Sequence, residues 1–181
     1  YSIGTSMGGH AAIHYGIELN ANILSFPAET ILGEQHSRSI KYLEKDIVKK
    51  DFLLEKIAHF NKTIHMIIGE STPKDLINAS YIRKFENVKI HSLLGVDHYV
   101  PSVISRSSKL YTLLTNFVSD GLIEEDLFSN LGNFNIYDDE LFSDLTAAYD
   151  NFESDNLDKC IACAKKILAK FPAFESALYM L

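Results

Sequence analysis

Near its start the chain carries Gly4-Thr5-Ser6-Met7-Gly8, the stretch that most constrains how it can fold. A serine lifted to the tip of a sharp strand-to-helix turn is held in strained backbone geometry, and crowding there demands small residues two before and two after it. Gly4 and Gly8 fill those positions, and Gly9 lets the following helix pack closely on the neighbouring strand. Tyr1-Ser2-Ile3 reads as a strand end, Met7 onward with Ala11, Ala12 and Ile13 as a helix over about 7 to 18, and Ala21 to Phe26 as a second strand. In this context Ser6 is a candidate nucleophile. The backbone N–H of Met7, at the positive end of the helix dipole, would face charge developing on an attacked carbonyl oxygen. A glycine-rich turn with a helix-capping serine is the plainer reading, and the strand and helix on either side weigh against it.

Further along, strand and helix patterns alternate. Residues 38 to 60 are charged with apolar positions at Ile40, Leu43, Ile47, Phe52, Leu53 and Ile57, which predicts one or two amphipathic helices covering a sheet face. Thr63 to Gly69 and Val88 to Gly95 are compact apolar runs of the kind that form buried parallel strands, with Leu76 to Phe85 helical between them. From Val100 to Val118 the spacing of Val103, Ile104, Leu110, Leu113, Leu114 and Phe117 predicts a helix ending near Gly121. Alternation of this kind implies a layered α/β fold.

Ser2-Ile3-Gly4-Thr5-Ser6-Met7-Gly8-Gly9 followed by Ala11-Ala12 resembles the α/β-hydrolase superfamily, over residues 1 to about 121. The resemblance implies a triad in the order serine, acid, histidine. His98 falls in Gly95-Val96-Asp97-His98-Tyr99, directly after an apolar run and before a helix, where the family's histidine resides. The other six histidines have weaker claims: His10 and His14 lie on the helix behind the turn, His36 and His59 in polar stretches, His65 and His91 inside strand patterns. The commonest family spacing puts the acid at position 72, where this chain has Thr72. Asp75, at the start of the next helix, is the first candidate, with a helix N-cap as its plainer reading; Glu70, at the strand end, is the alternative acid, and absence of a functional acid stays open. Asp97 adjoins His98 and reaches its Nδ1 poorly.

The resemblance implies a serine hydrolase (esterase or deacylase) or acyltransferase working through an acyl-enzyme, without cofactor or metal. A closer likeness is to bacterial hydrolases of glycan and surface-polysaccharide biosynthesis, some fused to helical repeats, so the ester would belong to a small molecule or a glycan. The family's second oxyanion donor comes from a loop before the nucleophile, upstream of Tyr1. The chain accordingly reads as the C-terminal half of a hydrolase domain, with an uncovered edge at the first strand and poor solubility or activity expected in isolation.

Residues 122 to 139, with Glu124-Glu125-Asp126 and the tract Asn130 to Asn135, are acidic and turn-prone and read as a linker. Residues 140 to 181 give two helical patterns around Ser154-Asp155-Asn156 and then Pro172. Ala148, Ile161, Ala164 and Pro172 match a tetratricopeptide repeat, with Cys160 at the usual alanine position, so a truncated repeat is expected. A non-catalytic hydrolase-like scaffold whose repeats dock a protein partner is the alternative function. Cys160 and Cys163 have redox or metal spacing, but inside one helix pattern and without a second pair they read as packing residues.

The 181 residues suffice for a real core, and 46% hydrophobic content is globular. A formal charge of −7 without a Lys/Arg stripe argues against nucleic acid as partner. No apolar run approaches the roughly 20 residues of a membrane span, which leaves the reducing cytoplasm as the default compartment.

Overall fold

A computed structural model describes residues 1–43, 53–132 and 136–181. Its centre is a four-stranded parallel sheet in the order β1 (Ser2–Gly4), β2 (Ile23–Ser25), β3 (Ile64–Gly69) and β4 (Val88–Leu93). Ile23 pairs with both Ser2 and Ile64, and Ile64 in turn with Val88, so the strands start level. The two central strands, β2 and β3, are buried throughout, as parallel strands must be when helices cover each side. Alternate residues go to opposite layers. Ile23, Ile64, Met66 and Ile68 join one buried cluster, while Leu24 and Ile67 join the other.

The first layer contains α1 (Met7–Glu18), α2 (Leu53–His59) and α3 (Pro73–Ser80), contributing Ile13, Leu53, Ile57, Leu76 and Ile77. The second contains α4 (Val100–Arg106) and α5 (Leu110–Asp120), contributing Val100, Ile104, Leu113 and Phe117. Here two helices replace the single one expected. They part at Ser107 to Lys109, where the Ser107 hydroxyl donates to the Ile104 carbonyl and Ser108 turns left-handed at φ 60. A serine that bonds the backbone locally competes with the helical ladder. Within residues 38 to 60, Arg38–Lys41 forms a 3-10 turn and α2 follows later; the expected helix positions Ile47 and Phe52 lie outside the described residues. The helix expected from Leu76 begins earlier, at Pro73, and ends at Ser80.

Within the stretch expected to form a linker, residues 130 to 132 run along β4, and residues 133 to 135 lie outside the described residues. Leu131 bridges Leu93 in antiparallel fashion, and the Leu94 and Gly132 amides donate to the Asn130 and Ser92 carbonyls at 2.8 Å each. This lines the outer edge of the sheet. Among the described residues β1 pairs with β2 alone, and Tyr1 and Ile3 beside that edge are exposed.

The chain ends in α6 (Asp139–Glu153), α7 (Leu157–Lys170) and the short α8 (Glu175–Tyr179). Asp138 caps α6 by accepting from the Leu141 amide at 3.0 Å. Leu145, Ala148, Cys160, Ala164, Ile167, Phe174 and Ala177 are buried in the same cluster as Ile68 and Leu76, so these helices share the sheet's first layer. Arg83, just past α3, pairs with Asp139 and lies 4.7 Å from the Phe142 ring centroid. Cys160 is buried and its thiol donates to the Met180 carbonyl, while Cys163 stays half-buried. Among the described residues no helix is long and apolar enough to cross a membrane, and no group of three metal-ligating side chains is gathered.

Because the helical end shares one core with the sheet, Leu145→Ala is expected to lower the stability of the whole molecule by about 2–5 kcal/mol. Urea denaturation followed by tryptophan-free probes, far-UV dichroism and tyrosine fluorescence, should show both signals shifting together.

Candidate active site

The C-terminal ends of the parallel strands gather the chemistry, as is usual for open α/β sheets. Ser6 follows β1, Asp75 lies in the helix after β3, and His98 follows β4.

Ser6 adopts φ 55, ψ −125, a region open to glycine and costly for other residues. Its conformation is held from both sides. The Ser6 amide donates to the Pro27 carbonyl at 2.8 Å, and the Ser6 carbonyl accepts from the Gly9 amide at 2.9 Å. A Cβ on Gly4 would overlap the Gly8 carbonyl oxygen, and one on Gly9 would press on Ser25, Phe26 and Ala28. Gly8 is different: nothing lies within 4 Å of a Cβ built there, so the crowding expected at that position falls on its backbone, against Gly4. Met7 begins α1, and its N–H belongs to the first-turn amides that have no partner inside the helix.

His98 lies between the serine and a carboxylate. Its Nε2 is 3.1 Å from Ser6 Oγ and its Nδ1 is 2.8 Å from Asp75 Oδ2. The carboxylate can only accept, so Nδ1 carries the proton, which leaves Nε2 to accept the Ser6 hydroxyl. Asp75 is 2% exposed and sits inside the first turn of α3, with Thr72 as the N-cap and Pro73 after it. The N-cap role thus belongs to Thr72 and the carboxylate is turned inward. Asp97 is occupied elsewhere, accepting from the Tyr99 amide at 2.8 Å.

Asp75 Oδ1 takes a second donor, the charged Arg38 Nη1, at 2.8 Å. Arg38 is placed by Glu29, a buried carboxylate that accepts from the amides of Arg38 and Ser39, the first two of the 3-10 turn, and so caps its start. The same loop is fastened to α3 by Thr30 Oγ1 donating to the Asn78 carbonyl at 2.6 Å. Neither Arg38 nor Glu29 was to be expected from the sequence, where Arg38 reads as the opening of an amphipathic helix. No spacing connects either residue to Asp75.

Glu70, the alternative acid, faces away from this chain of contacts. It accepts from Ser92 Oγ at 3.0 Å and is 1% exposed beneath Gly132, where a Cβ would collide with its carboxyl. Burial pushes its carboxyl up to about 7; the Ser92 hydrogen bond opposes this and the nearby negative Glu175 adds to it.

Gly69 ends β3 because the carbonyls of Val96 and Asp97 cross over it, in space a Cβ would need. Beside His98 opens a polar cleft of about 410 Å³, lined by Ser71, Asp97, Tyr99, Ser102 and Arg106. Tyr99 is 68% exposed at its mouth.

These observations define a mixed α/β protein with serine, histidine and aspartate aligned at one end of a parallel sheet. Comparison of the chain with protein-family models, curated proteins and solved structures finds no match.

Folded Glu70 keeps its proton up to about 7, against 4.5 for an ordinary glutamate. The native state therefore binds more protons than the unfolded state between those values, and stability falls as pH rises through that window. The cost is absent below it and fully present above it, on the order of 3 kcal/mol. Glu70→Gln keeps a neutral partner for Ser92, so it is expected to match the wild type in thermal midpoint near pH 4 and to exceed it near pH 8.

Proposed function

We propose that this protein is a serine hydrolase or acyltransferase of the α/β-hydrolase type that works through an acyl-enzyme. The observation that carries this reading is the continuous line from Ser6 Oγ to His98 Nε2, and from His98 Nδ1 to Asp75, at 3.1 and 2.8 Å. As Ser6 Oγ attacks an ester carbonyl, its proton passes to His98 Nε2. The carbon–oxygen bond to the leaving alcohol then breaks, and His98 returns the proton to that alcohol. Water or an acceptor hydroxyl attacks the acyl-serine in the same way, which releases the acid or a new ester and restores Ser6. Asp75 fixes the imidazole and stabilises its cation without taking the proton. The Met7 amide faces the oxyanion. The route draws on side chains and one backbone donor, so it calls for no cofactor.

The polar cleft beside His98 suits a hydroxyl-rich alcohol portion, with Tyr99 offering a ring face and Ser102 and Arg106 offering donors. This supports an acylated glycan as the substrate. We read α6 and α7 as the opening of a tetratricopeptide-like array.

A fluorophosphonate probe is expected to label the wild type and not Ser6→Ala; labelling that survives the substitution sinks the assignment. Asp75→Asn is expected to lower kcat for an activated ester by about 10³–10⁴-fold. Glu70→Gln should label like the wild type.

A further inference from the structure

We infer that Glu175, from the helical end of the chain, is a positioning residue for the triad: its carboxylate ties the turn that carries the acid to the turn that carries the base. The inference rests on the Ser6–His98–Asp75 reading and extends it to a residue far away in sequence.

The geometry is two-armed. Glu175 Oε2 accepts the Ser71 hydroxyl at 2.6 Å, and Oε1 accepts the Gly95 amide at 2.7 Å. Ser71 immediately precedes Thr72, the N-cap of the helix that holds Asp75. Gly95, left-handed at φ 71, opens the turn that leads to His98. The two turns also meet directly, the Ser71 amide donating to the Val96 carbonyl at 3.0 Å. Hydrogen bonds to an ionised carboxylate are shorter and roughly twice as strong as neutral ones, so Glu175 supplies the firmer part of the junction.

Glu175 is itself held on both sides. Phe174 is 2% exposed in the shared core, and the Ser176 hydroxyl donates to the Glu70 carbonyl. The same helical end also reaches the loop of Arg38, since Asp150 of α6 accepts from His36 Nε2 at 2.7 Å and Gln35 Nε2 at 3.0 Å. Contacts that served only to dock the helices could fall anywhere on the sheet layer. Asp139 docks on Arg83 past α3, whereas the contacts of Asp150 and Glu175 fall on the three segments that bring Arg38, Asp75 and His98 together.

Misplacing catalytic groups by about 1 Å can cost 10²-fold in rate. Glu175→Ala is therefore expected to lower kcat for an activated ester by roughly 10- to 100-fold, with KM within about twofold and fluorophosphonate labelling slowed in parallel. Glu175→Gln is expected to retain most activity, because its amide oxygen still accepts from Gly95 and its NH₂ can donate to Ser71 Oγ. Ser71→Ala removes one arm and should give an intermediate loss, and adding it to Glu175→Ala should cost nothing more. If Glu175→Ala fails to fold, Ser71→Ala alone carries the comparison. A low-field proton resonance from His98 Nδ1–H, assigned by its loss in Asp75→Asn, should be sharp in the wild type and Glu175→Gln and broadened in Glu175→Ala. That signal needs no substrate, so it tests the junction even if wild-type protein is not labelled and the Ser6 assignment fails. Wild-type kcat or an unchanged His98 resonance in a folded Glu175→Ala or Ser71→Ala protein overturns the inference, as does a loss that appears in KM instead of kcat.

Discussion

A carboxylate shut away from water has to be met by donors, and Asp75 is met on both oxygens, by His98 on one and Arg38 on the other. Much of the local architecture answers that requirement. Thr72 and Pro73 start a helix that turns the aspartate inward, Glu29 shapes the turn that delivers Arg38, and Gly69 leaves room for the His98 loop to cross the end of β3. Three segments widely separated in sequence converge on one buried charge. Such a charge tolerates little displacement of its partners, because a half-satisfied buried ion costs several kcal/mol.

How much of this could be read from the residues depends on whether the cause was local. The parallel strands were legible because burial on both faces leaves an unbroken apolar run, as in Ile64 to Gly69. The turn at Ser6 was legible because Gly4 must be small for a steric reason that acts within a few residues, a Cβ there meeting the Gly8 backbone. Asp75 and Glu70 stood open because both follow the same strand, and only the path of the chain after Gly69 decides which one turns toward His98. Arg38, Glu29 and Glu175 carried no signal. Each acts across a gap in sequence that is fixed by the packing of whole elements, and a charged residue in a polar stretch looks the same whether solvated or paired. The division of the expected helix at Ser107 to Lys109 was similarly hidden, since apolar spacing runs on through a break made by serine hydroxyls.

The helical end gains meaning from the same viewpoint. Its apolar residues lie in the layer that already holds Ile68 and Leu76, so separating it from the sheet would expose a core face of both parts. Its polar contacts, through Asp139, Asp150 and Glu175, are distributed over α3 and the loops around it. Apolar burial supplies most of the attachment, and the carboxylates decide where on the layer the helices settle.

Ser6 occupies backbone territory where glycine sits at ease and a serine costs of order 1–3 kcal/mol. At that position the needs of durability and of chemistry point to different amino acids. A chain tuned only to resist unfolding would exchange the serine for glycine and lose its hydroxyl; the molecule instead accepts a weaker fold at the point where the hydroxyl meets His98. Attempts to harden this protein by consensus or computation would be drawn to residue 6 first, and the gain in endurance there would come at the expense of the hydroxyl that meets His98.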